Sequence, residues 1–179
     1  MVKYLGIVGP SGCGKTTLMH NLINNYPSLF TKVEQCTTRS IRDNEFGDAY
    51  VWLNRYQDYK KLEHLLIAKT EVKGNYYGSI PLQDDDKIGI IILNELGLDN
   101  FVKDVEELNK KGLETQYYIV GLDKTDIAVK REGRDEEYVK QERKVLDKAD
   151  IVYILDKNKY ADPEIVMKDI MLFFDEEKE

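Results

Sequence analysis

The chain has 179 residues, a length that suits one compact domain with a helix-covered sheet and leaves little room for a second. Its 26 basic and 33 acidic residues give a formal charge of −7, which argues against an extended nucleic-acid surface and leaves room only for local basic pockets. Two cysteines, Cys13 and Cys36, make no disulfide framework and fit a reducing, cytoplasmic setting; no basic-then-apolar leader is evident, and no apolar run approaches the length that spans a bilayer.

The first element is an apolar run, Tyr4–Val8, which reads as a buried strand. Directly after it comes Gly9-Pro10-Ser11-Gly12-Cys13-Gly14-Lys15-Thr16, the phosphate-loop pattern G-x-x-x-x-G-K-[ST]. The three glycines let successive N–H groups turn inward around phosphate oxygens. Lys15 supplies a point charge for the β- and γ-phosphates, and Thr16 a hydroxyl for Mg²⁺. The helix expected over Thr16–Asn25, with Thr17 in its first turn, aims its N-terminal dipole at the same anion. Gly9, Ser11, Gly12, Cys13, Gly14, Lys15, Thr16 and Thr17 are therefore the candidate residues for a nucleoside triphosphate, with Cys13 as a small filler inside the loop.

Between Val33 and Ser79 the pattern changes to short strands at Val33–Cys36, Tyr50–Leu53 and Ile67–Val72. A turn at Gly74-Asn75 leads to Tyr76-Tyr77, and a helix of about Gln57 to Leu66 is embedded in the region. This reads as a β-rich insertion, with Trp52 filling its small core. Ile88–Leu93, Gln116–Val120 and Ile151–Leu155 resemble Tyr4–Val8 as fully buried parallel strands. A helix over Leu98–Lys111 ends in a basic turn before Gly112, and one over Pro163–Phe174 starts after an Asp162 N-cap. From 124 to 148 the chain is dominated by charge and helical from about Asp135, either a lid or a solvated helix. His20 and His64 are isolated and suggest no metal pair. Alternating strands and helices predict an α/β, doubly wound parallel sheet with ligands along the edge where the strands end.

Further motifs follow: Cys36-Thr37-Thr38-Arg39-Ser40-Ile41-Arg42, Gly47-Asp48-Ala49-Tyr50, Gly74-Asn75-Tyr76-Tyr77-Gly78-Ser79, and Arg131-Glu132-Gly133-Arg134 with Arg143 downstream. In this order and spacing the chain resembles the guanylate kinase family over nearly its whole length. The resemblance implies a P-loop NTPase core over 1–32, 80–123 and 149–179, a nucleoside-monophosphate-binding insertion over 33–79 and a helical lid over 124–148. It implies an ATP- and Mg²⁺-dependent kinase, monomeric or homodimeric, acting on a nucleoside monophosphate, foremost GMP or dGMP, with no nucleic-acid or membrane partner.

By the same resemblance Arg39 and Arg42 clamp the acceptor phosphate, which suits the bidentate reach of guanidinium, helped by Tyr50, Tyr77 and Ser79. Lys15, Arg131, Arg134 and Arg143 supply catalytic charge. Gln35 stands where the family usually has a hydroxyl that reads guanine, and an amide can also donate to a purine oxygen. Ala68 stands where the family has a base-reading glutamate. Glu71 lies nearby on the opposite strand face unless a bulge shifts the register. Asn94 or Glu95 falls where the family has an acidic element beside the base. These departures leave open a kinase for a deoxynucleotide, a modified base or a sugar phosphate. A non-catalytic guanylate-kinase-like binding module is a further alternative, although such modules have degraded phosphate loops and Lys15 and Thr16 are intact here.

Overall fold

The computed structural model describes residues 1–41, 50–53, 55–83, 86–124 and 136–176. Its elements are β1 (Val2–Val8), α1 (Lys15–Asn25), β2 (Phe30–Lys32), β3 (Gln35–Thr37), β4 (Val51–Trp52), α2 (Tyr56–Leu62), β5 (Ile67–Val72) and β6 (Asn75–Ser79). They continue with β7 (Ile88–Ile92), α3 (Glu95–Lys110), β8 (Thr115–Lys124), α4 (Glu136–Arg143), β9 (Ile151–Leu155) and α5 (Pro163–Glu176).

Five strands form a parallel sheet in the order β2-β7-β1-β8-β9, with β1 at its centre, Leu5 opposite Ile90 on one side and Tyr118 on the other. Successive β1 side chains leave opposite faces. Leu5 and Ile7 meet Leu18 and Leu22 of α1 and Val166, Ile170 and Phe174 of α5, whereas Tyr4 and Val8 join Leu98, Phe101 and Val105 of α3 on the other face. Tyr4 and Phe101 pack edge to face at 5.4 Å. Both faces are thus covered, the doubly wound arrangement that the alternating pattern predicts. Among the described residues no helix is long and apolar enough to cross a membrane.

Four details differ from the sequence reading. A fifth strand, β2, is added at the sheet edge; three residues with one apolar side chain carry no periodic signal, and pairing with β7 alone makes them a strand. The strand expected at Gln116–Val120 runs on to Lys124, four residues that matter below. The helix expected from Leu98 starts at Glu95, because the Asn94 side-chain oxygen accepts from Gly97 N at 2.7 Å and caps it. β9 is not fully buried, and Ile154 is 72% exposed. As the edge strand it packs Ile151, Tyr153 and Leu155 inward and turns Val152 and Ile154 outward.

A second, mixed sheet in the order β4-β3-β6-β5 occupies residues 35–79. On one face Cys36, Tyr59 and Leu66 form a small core with Leu53, Leu62 and Tyr76. Trp52 is not part of it. It pairs with Thr37, which pairs with Tyr77, so all three share the opposite face with Gln35 and Ser79. The start of β5 packs onto the α3 side of the main core through Ile67 and Ala68.

The Asp162 cap is present as expected, its Oδ1 accepting from Glu164 N at 2.9 Å. Asp162→Ala is expected to lower unfolding free energy by about 1 kcal/mol, the usual worth of an N-cap, with no change in slope in a urea titration; an unchanged midpoint would refute the cap's contribution.

Candidate active site

The phosphate loop leaves the sheet at Gly9, whose φ is +140°. A Cβ there would stand 2.1 Å from the Leu122 carbonyl oxygen of β8, so only glycine fits between the strands. The loop ends at Gly14, φ +105°, and α1 follows with no side-chain cap and no acidic residue in its first turn, leaving its N-terminal N–H groups for an anion. Lys15 folds back over the loop and donates to the carbonyls of Gly9 (2.7 Å) and Pro10 (2.9 Å). Thr16 is exposed at the helix start and Thr17 half buried. The Cys13 thiol is buried in the core, where desolvation raises its pKa against the opposing charge of Lys15. It supplies volume, as expected.

Residues from the C-terminal half crowd the same loop. Tyr160 lies against Gly14, and the ammonium of Lys124 sits 4.3 Å from the centre of its ring. From α4, Arg143 donates through Nε to Asp123 Oδ1 (2.9 Å) and through Nη2 to the Lys124 carbonyl (2.8 Å). Of the three arginines expected to supply charge, Arg143 thus rests at the end of β8; Arg131 and Arg134 lie outside the described residues. Its neighbour Glu142 accepts from Ser11 N at 2.9 Å and from the Ser11 hydroxyl at 3.3 Å. The segment's tail is tied to α3 by Lys148, which pairs with Asp99 (2.7 Å) and Glu95 (3.4 Å). Among the described residues no group of three or more metal-ligating side chains occurs. A lone hydroxyl such as that of Thr16 suits a metal that arrives on nucleotide phosphates rather than one held in a protein cage.

The outer face of the small sheet carries the other candidates. The two threonines of Thr37-Thr38-Arg39 are structural: Thr37 Oγ1 accepts from Arg39 N (3.1 Å) and Thr38 Oγ1 from Tyr76 N (2.9 Å), fixing the loop that presents Arg39. The Arg39 guanidinium lies 5.2 Å from the Trp52 ring and 5.7 Å from that of Tyr50, and donates to the Ser40 carbonyl (2.8 Å). Tyr50 in turn meets Tyr77 at 6.2 Å. Arg39, Tyr50 and Tyr77 are therefore brought together beside an open hollow of about 380 Å³ lined by Thr38, Arg39, Ser40, Ile41, Trp52 and Leu53. Arg42 lies outside the described residues. Trp52 joins this group without having been assigned to it from sequence, although its i, i+2 spacing from Tyr50 was a usable signal.

Gln35 Nε2 donates to Ser79 Oγ (3.2 Å) and the Ile92 carbonyl (3.4 Å). A carbonyl only accepts, so the amide nitrogen faces inward and the side-chain oxygen is the atom left to meet a ligand. In these resting contacts the amide nitrogen expected to donate to a purine oxygen is turned to the protein. Asn94 has its oxygen in the α3 cap, and Glu95 is paired with Lys148.

A bulge decides which β5 residue stands opposite Ser79. Ile67 pairs with Ser79 but Thr70 with Tyr77, so β5 holds one extra residue, and Ala68 adopts a φ of +53°. Two α3 side chains pin the bulge: Asp104 Oδ2 accepts from Ala68 N (2.8 Å), and Asn100 Nδ2 donates to the Lys69 carbonyl (2.6 Å). Thr70 is in register from the hairpin turn, following Val72 opposite Asn75 and Glu71 opposite Tyr76, and shares the face of Tyr77, buried and with its methyl 3.5 Å from the Cβ position of Gly97; the shift sets Ile67 rather than Ala68 opposite Ser79. Glu71 pairs with Tyr76 on the other face and does not replace the missing glutamate.

Comparison with known proteins is consistent with this geometry. The family model described as Guanylate kinase matches residues 1–153. The guanylate kinase of Prochlorococcus marinus is 29% identical over 150 residues, covering 80% of each chain. That of Trichormus variabilis is 39% identical over 83 residues, which is 43% of this chain and 39% of that relative, so the match spans about two fifths of its length. In fold, the chain is similar to the crystal structure of guanylate kinase from Anaplasma phagocytophilum, with a TM-score of 0.62 at 20% identity, covering 98% of this chain and 86% of that one.

Burial raises the pKa of Asp104, an effect partly offset by the Ala68 N–H. A carboxyl raised in the folded state destabilises the fold when ionised; this cost is absent below the unfolded pKa and fully present above the folded one. Asp104→Asn keeps an acceptor for Ala68 N without the charge, so it is expected to match or exceed the parent at pH 7.5 in urea unfolding and to lose that advantage at pH 4. Asp104→Ala leaves the N–H without its partner and is expected to cost about 1–3 kcal/mol. Equal losses in both variants at pH 7.5 would refute the assignment.

Proposed function

Because this chain belongs to the guanylate kinase family, we propose that it is an ATP-dependent nucleoside monophosphate kinase whose foremost acceptors are GMP and dGMP. One observation carries the reading: the acceptor-facing side of the small sheet is anchored beside the phosphate loop. Gln35 reaches the carbonyl of Ile92, whose register neighbour is Ile7, two residues before Gly9. Two anion-binding surfaces therefore meet at the edge where the parallel strands end, the place where such sheets hold ligands.

In this reading the loop from Gly9 to Thr17 holds ATP, Lys15 neutralises its β- and γ-phosphates, and Arg39, Arg42, Tyr50, Tyr77 and Ser79 hold the acceptor phosphate. Bound magnesium would rest against Thr16 and spread charge over the donor oxygens. Transfer needs alignment and charge stabilisation rather than a base. Arg131, Arg134 and Arg143 supply the charge as 124–148 closes as a lid, and residues 33–79 act as the acceptor-binding part. Arg143 starts from its resting contacts with Asp123 and Lys124.

The base is read by Gln35, Thr70, Asn94 and Glu95. No carboxylate stands at Ala68 to accept from the guanine N–H groups, so discrimination is weaker than a fully partnered site gives. The same absence favours, as a second reading, a modified deoxynucleotide as the physiological acceptor.

With Mg²⁺-ATP and a panel of ribo- and deoxyribonucleoside monophosphates, GMP and dGMP are expected to give the highest kcat/KM. Their advantage over AMP should stay near about a hundredfold, short of the roughly 10⁴–10⁵ that a hydrogen-bonding site achieves. No phosphoryl transfer to any member of the panel would overturn the assignment. Lys15→Ala and Arg134→Ala are each expected to lower kcat by at least about a hundredfold, the scale of one lost preorganised contact; wild-type turnover in either variant would remove that residue's role.

A further inference from the structure

Trp52 is a large aromatic side chain on the face of the small sheet that does not build its core. It shares that face with Gln35, Tyr77 and Ser79, away from Cys36, Tyr59 and Leu66. What it meets there is Arg39. The guanidinium carbon lies 5.2 Å from the Trp52 ring centre and 5.7 Å from that of Tyr50, both within the roughly 6 Å over which a ring attracts a cation. The two ring centres are themselves 5.3 Å apart, with their planes at 62°. Cation and rings thus mark a nearly equilateral triangle. One ring would let a guanidinium slide across its face, whereas two inclined rings fix it in a corner. Both sides of the Trp52–Arg39 contact also hang on one fully buried residue, Thr37. Its carbonyl accepts from Leu53 N at 2.8 Å, next to Trp52, and its Oγ1 accepts from Arg39 N at 3.1 Å.

We propose that Trp52 is a positioning residue for the acceptor phosphate, acting through Arg39: the indole holds the guanidinium in place before the phosphate arrives. The inference rests on the kinase reading above and adds to it a residue that sets acceptor affinity. A long arginine side chain gives up rotamer freedom when it grips a ligand, and one that is already confined gives up less. A ring, unlike a carboxylate, confines a guanidinium without neutralising it, so the attraction for a phosphate is kept. Arg39 grips the same phosphate in the ground state and the transition state. Looser positioning therefore weakens acceptor binding without slowing transfer once the acceptor is bound.

The test is steady-state kinetics of the full chain with Mg²⁺-ATP and GMP, or whichever monophosphate of the panel gives the highest kcat/KM. The variants are Trp52→Leu, Trp52→Phe, Arg39→Ala and the Trp52→Leu, Arg39→Ala pair, each checked for folding by urea unfolding. Trp52→Leu is expected to raise the acceptor KM roughly five- to tenfold, at unchanged kcat and unchanged KM for ATP, and Trp52→Phe, which keeps a ring, to recover most of that loss. With Arg39 already replaced by alanine, Trp52→Leu is expected to change the acceptor KM by less than about twofold. An unchanged acceptor KM in Trp52→Leu would overturn the proposal, and so would an equal rise with and without Arg39, which would set the indole against the nucleotide itself; either result leaves the kinase reading intact. Trp52 is the only tryptophan in the sequence, so its emission in ligand-free protein is expected to change in Arg39→Ala, and a spectrum identical to wild type would overturn the contact on which the proposal stands. Wild-type protein that phosphorylates no nucleoside monophosphate would overturn the kinase reading and this inference together.

Discussion

The site depends on one close approach, that of the Gly9 backbone to the Leu122 carbonyl. Any side chain at position 9 would collide with β8 at 2.1 Å, so β1 can turn out of the sheet at this point only as glycine. β8 does not turn with it but runs on to Lys124. The phosphate loop and the last residues of β8 thus lie side by side, and Asp123 and Lys124 become a landing place for α4. Glu142 and Arg143 find their partners because two adjacent parallel strands end at different heights.

The charges around the loop are arranged for exchange rather than for stability. Lys15 rests on two carbonyls, Arg143 on a carboxylate and a carbonyl, and Glu142 on an N–H and a hydroxyl. Of these, only Arg143–Asp123 is an ion pair, and a partly exposed one is worth about 1 kcal/mol or less. A polyanion offers Lys15 and Arg143 a stronger partner and repels Glu142. The Lys148 ties to Asp99 and Glu95 hold the far end of the segment, leaving the end that faces the loop as the part free to rearrange.

In the small sheet the period of two divides labour. One set of alternate residues builds the core against α2, and the other presents Gln35, Trp52, Tyr77 and Ser79 to the cleft. The bulge at Ala68 interrupts that period once, held by side chains from α3. It sets Ile67 rather than Ala68 opposite Ser79, so the residue standing where the family pattern leads one to expect a carboxylate leaves the ladder, and its neighbour on the face of Tyr77 is a hydroxyl, Thr70.

Local chemistry along the chain was enough to determine the strand–loop–helix of the phosphate-loop pattern, the alternation that gives a doubly wound sheet, and the Asp162 cap, because each depends on residues within a few positions of one another. The grouping of Arg39, Tyr50 and Tyr77 was also legible, through motifs shared with a family. What the tertiary structure alone decided are relations across the sequence. The Gln35 amide is oriented by a carbonyl 57 residues away, Ile67 rather than Ala68 is set opposite Ser79 by a bulge pinned from α3, Trp52 is turned out of the core by its pairing with Thr37, and Glu142 is set on Ser11. Periodicity and composition carry no information about register shifts or about which distant donor a carboxylate meets, since both are fixed only when the sheets and helices have packed.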